Sequence, residues 1–187
     1  MKNFPKLLII VIPILILGVV IFFFWQKGQK PKEEEVGLPE IMEISSPAFE
    51  NNSQIPQRYT CDGEDINPPL EIKYIPEETK SLVLIIDDPD APMGTFLHWL
   101  VFNISPDVSL IEENSLPVGA IQGKNDFGKE NYGGPCPPSG EHRYFFKIYA
   151  LNKKLDLSSG SKLKEVEKEM EGHILDQAQL VGLYKRK

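Results

Sequence analysis

The sequence predicts a mostly β fold, an antiparallel sandwich carrying one late helix and preceded by a single N-terminal transmembrane helix. Three observations carry this expectation. Several runs of six to nine residues are either apolar throughout or alternate apolar with charged, and turn-rich segments separate them. One stretch near the C-terminus repeats with helical period. One run of 19 residues, Leu7 to Trp25, contains no charge at all.

That uncharged run, LLIIVIPILILGVVIFFFW, covers roughly 28 Å at the rise of an α-helix, which is long enough to span a bilayer. The bulky Phe22, Phe23, Phe24 and Trp25 stand where a cleaved signal peptide has small residues, so the expectation is an uncleaved signal anchor over residues 1–25. Pro13 is tolerated in a membrane helix whose neighbours satisfy the freed carbonyl. Lys2 and Lys6 precede the run and Lys27, Lys30 and Lys32 follow it, so the charge rule does not orient it. Short N-terminal anchors usually deliver the domain behind them to the outside, and an extracytoplasmic domain is expected on that ground. Residues 26–39 (QKGQKPKEEEVGLP) hold too little apolar surface to fold and read as a flexible tether.

The remaining residues, 40–187, read as one domain. Glu40 to Ser45 is a weak strand candidate. Leu70 to Ile75 (LEIKYI) alternates, as a strand with one wet face does. Ser81 to Asp87 (SLVLIID) is short, β-branched and continuously apolar, which suits a strand buried on both faces. Phe96 to Ile104 and Tyr144 to Leu151 are two more strands, rich in aromatic residues. Ser161 is the expected N-cap of a helix whose apolar stripe is Leu163, Val166 and Met170. Beyond Gly172 the pattern extends the helix through Ile174 and Leu175, and Leu180 to Tyr184, with its Gly182, reads as a final strand.

Composition excludes some functions. From residue 36 onward 15 Lys and Arg face 24 Asp and Glu, a formal charge of −9, and so acidic a domain repels phosphate backbones. A nucleic-acid partner is therefore not expected. Cys61 and Cys136 both lie beside Gly and Pro in loop-like sequence, and two states stay open for them: a disulfide, permitted outside the cytoplasm, or two free thiols.

Unusual residues concentrate where two of these strands meet loops. Asp87, Asp88 and Asp90 are packed between prolines at the end of one strand, with His98 eight positions beyond Asp90. Carboxylates so close repel one another, so compensating donors or a raised pKa are required. The second place is GGPCPPSGEHRY, Gly133 to Tyr144, where a glycine and proline loop runs into a strand that opens with His142, Arg143 and Tyr144. Imidazoles, a phenol and the N–H groups of a glycine loop are donors suited to an anion's oxygens.

These two segments, DDPDAP with its later HW and PPSGEHRYFF, resemble the signatures of the phosphatidylethanolamine-binding protein family, in its bacterial and archaeal Raf kinase inhibitor-like (YbhB/YbcL type) branch. YTCDGEDINPPLE and MEGHILDQAQLVGLYKR are similar too, so the resemblance runs over residues 41–187. It implies a β-sandwich with a small pocket for anionic groups such as phosphate, phosphorylethanolamine or acetate. The pocket residues it implies are Asp88, Asp90, His98, Pro138, Gly140, His142 and Tyr144, with Arg143 a structural partner of the aspartate turn. Asp88 and Asp90 are expected to orient and charge the histidines. A homodimer and a protein partner, a protease or a kinase, are further implications, with no cofactor. The chain departs from larger eukaryotic members in its short Met93 to Leu97 segment and in its N-terminal anchor, which makes a surface-held binding module the expectation.

Two other readings compete with a non-enzymatic module. A hydrolase would use His98 or His142 as general base with Asp90 orienting it, but Ser139 is not in a nucleophile-elbow motif. A zinc site of His98, His142 and Asp90 lacks both HExxH and a cysteine pair at ligand spacing, so no metal is expected.

Overall fold

The computed structural model describes residues 41–186. The elements, in chain order, are β1 (Glu43–Ser45), β2 (Ser53–Gln54), β3 (Leu70–Lys73), β4 (Ser81–Asp88), β5 (Phe96–Ile104), β6 (Leu110–Ile111), β7 (Ile121–Gln122), β8 (Glu141–Leu151), α1 (Leu163–Met170) and β9 (Ile174–Lys185). They form a three-stranded sheet, β1-β3-β6, and a six-stranded sheet, β2-β9-β8-β4-β5-β7.

The large sheet is built around β4, which is buried along its whole length because β5 and β8 pair with its two edges. Side chains on a strand alternate between faces. Leu82, Leu84 and Ile86 point to one side and join Met42, Ile44, Leu70, Ile72 and Ile111 from the small sheet in the main core. Val83 and Ile85 point to the other side, where Leu155 and the α1 residues Val166 and Met170 cover them. The result is a sandwich with a helix laid on the outside of its larger sheet, each apolar face meeting another.

The fold is mostly β with one helix, and it differs from expectation in three details. The sheets are antiparallel except that β2 runs parallel to β9, a two-residue pairing fixed by Asn52 N–H to Val181 O at 2.7 Å and Ile55 N–H to Leu183 O at 2.7 Å. The helix N-cap is Lys162, one residue beyond Ser161, whose hydroxyl instead donates to the Ser158 carbonyl at 2.8 Å. Glu165 closes the first turn by accepting from the Lys162 N–H at 2.7 Å. Finally, Ile174 and Leu175 belong to β9, because Gly172 takes a positive φ of 74° that ends the helical run.

The predicted anchor at residues 7–25 and the tether at 26–39 lie outside the described residues. Among the described residues no helix is long and apolar enough to cross a membrane.

Candidate functional site

The site lies at one end of the inter-sheet face of the large sheet. On β8, His142 and Tyr144 share the face of Phe146, Ile148 and Ala150, which are core residues, so alternation turns both polar side chains inward. Asp88 ends β4 on the same face as Ile86 and Leu84. His142, Tyr144 and Asp88 are all buried.

His98 reaches this face by a different device. Ile86 pairs with Trp99, while the next residue, Asp87, pairs with Leu97. One step along β4 thus opposes two along β5, and His98 is the extra residue of a β-bulge. Regular alternation from Val101 and Trp99 would send Leu97 to the main core and His98 toward α1. With the bulge, Leu97 packs in the helix-side cluster and the His98 ring meets the Tyr144 ring edge-on at 5.2 Å.

The hydrogen bonds assign the protons. His98 Nδ1 lies 2.7 Å from the Gly133 carbonyl, and because a carbonyl can only accept, Nδ1 carries the proton. His142 Nδ1 donates to Asp88 Oδ2 at 2.7 Å, and Asp88 Oδ1 accepts from the Asp90 N–H at 2.8 Å. Neither imidazole Nε2 has a hydrogen-bond partner among the described residues. The Tyr144 hydroxyl is enclosed and has no partner in good hydrogen-bond geometry there, with the Cys136 backbone N–H and the Asp88 carboxylate close to it. Burial, and then the charge of Asp88, pushes the Tyr144 pKa up, so the phenol stays protonated. Burial pushes the His98 pKa down, against the opposing pull of the Gly133 carbonyl and of Asp88.

Each of the crowded carboxylates has its own donor. Lys147 Nζ lies 2.6 Å from Asp87 Oδ2 on the helix-side face. His142 serves Asp88. Asp90 accepts from the Arg143 backbone N–H at 3.0 Å, from Nε at 2.9 Å and from a terminal guanidinium nitrogen at 2.7 Å. Those Arg143 hydrogen bonds hold the Asp90 carboxyl at about 2, below its ordinary value of 3.8. Asp90 therefore binds Arg143, not a histidine, and only Asp88 orients an imidazole.

The glycine and proline loop supplies a wall more than a set of side chains. Cys61 and Cys136 are bonded to each other, with Cα atoms 5.4 Å apart, and Cys61 N–H donates to the Pro135 carbonyl at 3.1 Å. Tyr132 hydroxyl donates to the Tyr59 carbonyl at 2.9 Å, and Gly134 N–H to Asp65 Oδ1 at 2.7 Å. A side chain at Gly134 would stand 2.6 Å from the Tyr59 carbonyl oxygen, so only glycine fits this approach. Pro138, exposed, lines an open cavity of about 520 Å³ with Gln57, Asp62, Tyr184 and Arg186. Gly140 is an exposed turn residue with a φ of 74° that leads into β8, and nothing lies within 4 Å of where its Cβ would be. The structure thus gathers Asp88, His98, His142 and Tyr144, sets Asp90 and Arg143 on the flank, and leaves Pro138 and Gly140 at the periphery.

Sequence reading missed several contributors. Gly133 offers its carbonyl to His98, Asn125 Nδ2 donates to the His98 backbone carbonyl at 3.1 Å, and Phe96 and Phe127 flank the His98 ring at 5.3 and 5.4 Å. Phe127, exposed yet aromatic inside a polar loop, was the available signal. Among the described residues no three His, Cys, Asp or Glu side chains are placed to hold a metal ion.

The chain belongs to the phosphatidylethanolamine-binding protein family, which it matches over residues 45–185, and the fold of that family typically binds anionic ligands. Among its relatives, a UPF0098 protein of Methanothermobacter thermautotrophicus is 53% identical over 78% of this chain and 99% of its own. A UPF0098 protein of Pyrococcus horikoshii is 47% identical over 98% of this chain and 93% of its own, an alignment that takes in most of the first 40 residues. The structure is similar to that of a phosphatidylethanolamine-binding protein homologue from Chlamydia trachomatis, with a TM-score of 0.76, 41% identity, and coverage of 79% of this chain and 99% of that one. It is also similar to E. coli YbcL, described as a member of the mammalian family, with a TM-score of 0.74, 31% identity, and coverage of 79% and 100%.

Proposed function

We propose that this chain is a non-enzymatic binding module for a small anion, phosphate or a phosphorylethanolamine-like head group, held on the outer surface of a membrane by residues 7–25. The observation that carries the binding reading is the Tyr144 hydroxyl, enclosed and without a partner among the described residues, beside Asp88 and the two imidazoles. An unpartnered donor in such a place costs about 1–3 kcal/mol, a cost that a bound oxyanion removes. His98 and His142 each have Nδ1 engaged and Nε2 left over, which suits orientation of a ligand. Support for the tether comes from the 19-residue uncharged run and from the Pyrococcus relative, whose alignment extends into it. A partner protein, a protease or kinase that the module modulates, is the accompanying proposal, and a homodimer is the proposed assembly.

The test is a thermal shift of the full chain in a neutral detergent, with and without phosphate or phosphorylethanolamine. Saturation at 100 times the dissociation constant stabilises by about 2.7 kcal/mol, a readily measured shift. The shift is expected to appear with either anion and to vanish in His142→Ala; no shift with either removes the anion reading. For the tether, carbonate-resistant recovery of the chain with membranes is expected, and release by carbonate would overturn it.

A further inference from the structure

We propose that this site selects oxyanions that bring a proton of their own, taking inorganic phosphate in preference to sulfate. The proposal rests on the anion-binding reading above and concerns the protons in that site.

The donors and acceptors of the cluster decide it. His98 must spend its Nδ1 proton on the Gly133 carbonyl, and His142 spends its own on Asp88. In neutral rings both Nε2 atoms are then lone pairs, which accept and cannot donate. Asp88 is a third acceptor, its two oxygens already receiving the His142 and Asp90 protons. The donors left to the cluster are the Tyr144 hydroxyl and the Cys136 backbone N–H beside it, because the Arg143 guanidinium is occupied by Asp90.

An oxyanion without a proton therefore meets two lone pairs and a carboxylate, with one phenol and one backbone N–H to receive it. An oxyanion with a P–OH group donates to an imidazole Nε2 while its other oxygens take the Tyr144 proton. Phosphate carries such a proton throughout the neutral range, and sulfate does not. Sulfate is accommodated only after an imidazole takes a proton from solvent, which reverses Nε2 from acceptor to donor.

The surroundings do not supply that proton freely. His98 faces Asp87 and Asp88 from β4, Tyr144 from β8, and the Gly133 and Gly134 carbonyls from the loop, with the uncharged Phe96 and Phe127 rings at its sides. His142 faces Asp88 and Asp90 from the β4 end, Tyr184 opposite on β9, and its neighbours Glu141 and Arg143 on β8. At His98 burial opposes a charged ring, while the loop carbonyls and the acidic groups favour one. Sites built around a ligand's own hydrogen-bonding group reject the isostere that lacks it, because buried polar groups are then left unpaired.

The experiment is titration calorimetry of the full chain in a neutral detergent with inorganic phosphate and with sulfate, at equal ionic strength. It is run near about pH 8 and about pH 6, on either side of the ordinary histidine value, in buffers of different ionisation enthalpy. Phosphate is expected to bind at least about tenfold tighter than sulfate at the higher pH. Sulfate is expected to gain up to about tenfold per unit as pH falls, with uptake of about one proton. Asp88→Asn, which removes the carboxylate charge, is expected to narrow the phosphate-to-sulfate ratio. Equal affinities at the higher pH, or sulfate binding without proton uptake, overturn the selection while leaving the anion site standing. Failure of both anions to bind at either pH overturns the selection and the anion reading together.

Discussion

His142 Nδ1 lies 2.7 Å from Asp88 Oδ2, a contact between two buried groups 54 positions apart that joins the opening of β8 to the end of β4. The same carboxylate receives the Asp90 backbone N–H, so it shapes the turn as well as the imidazole. Deleting it strands two donors at once. Asp88→Ala is expected to lower the unfolding free energy by about 2–3 kcal/mol, with Asp88→Asn costing less, as read by urea denaturation. A loss indistinguishable from zero would mean that solvent replaces the carboxylate freely.

His98 gives the domain a pH dependence near neutrality. Burial holds its folded pKa below the ordinary 6.5, so the unfolded chain binds the proton more readily. The stability it confers is complete above the ordinary value and declines as pH falls from there toward the depressed folded value. His98→Gln, which keeps a donor for the Gly133 carbonyl, is expected to flatten this slope. Melting temperatures of the two proteins across that window are the check.

Asp90 acts in a lower window. Its carboxyl titrates at about 2 against an ordinary 3.8, because Arg143 binds it three times. Its contribution is present above the ordinary value and disappears as pH falls through that interval. The pair is partly exposed, so the effect is small and weakens with salt. Asp90→Asn should lose the acid-side slope in low salt, and an unchanged acid denaturation profile would show that the ion pair does not stabilise the fold.

The disulfide couples stability to the site. Cys61 and Cys136 close a loop of 75 residues, worth roughly 4 kcal/mol in the chain-entropy model. The bridge also fastens the loop whose Gly133 carbonyl orients His98. Reduction, or Cys136→Ser, is expected to lower the denaturation midpoint and to weaken phosphate binding at temperatures where the domain remains folded. If reduced protein binds phosphate as the oxidised protein does, the loop holds its place without the bridge.

Much of this fold was legible because alternation and continuous apolar runs are local signals. SLVLIID became β4, buried on both faces, and FLHWLVFNI became β5 with the same boundaries. The two-residue strands β2, β6 and β7 were not legible, since no pattern of period two can show itself in two residues. The Ile174 to Gln179 half of β9 was missed for another reason. It is mostly exposed or half-buried, so its pairing with β8 left no apolar stripe to read.

The sequence by itself singled out the residues that the structure gathers: Asp88 of the aspartate turn, the two histidines, and the tyrosine that shares a face with His142. It could do so because the two segments resemble the family's signatures; that alternation along β8 turns positions 142 and 144 inward together is seen in the structure. Only the tertiary structure decided how they are used. A one-residue bulge moved His98 across the sheet, and pairing between distant strands gave Asp88 to His142 and Asp90 to Arg143. It also brought the Gly133 carbonyl to His98, and with it the tautomer. Register, bulges and proton positions arise from contacts between chain segments remote in sequence, and no local pattern records them.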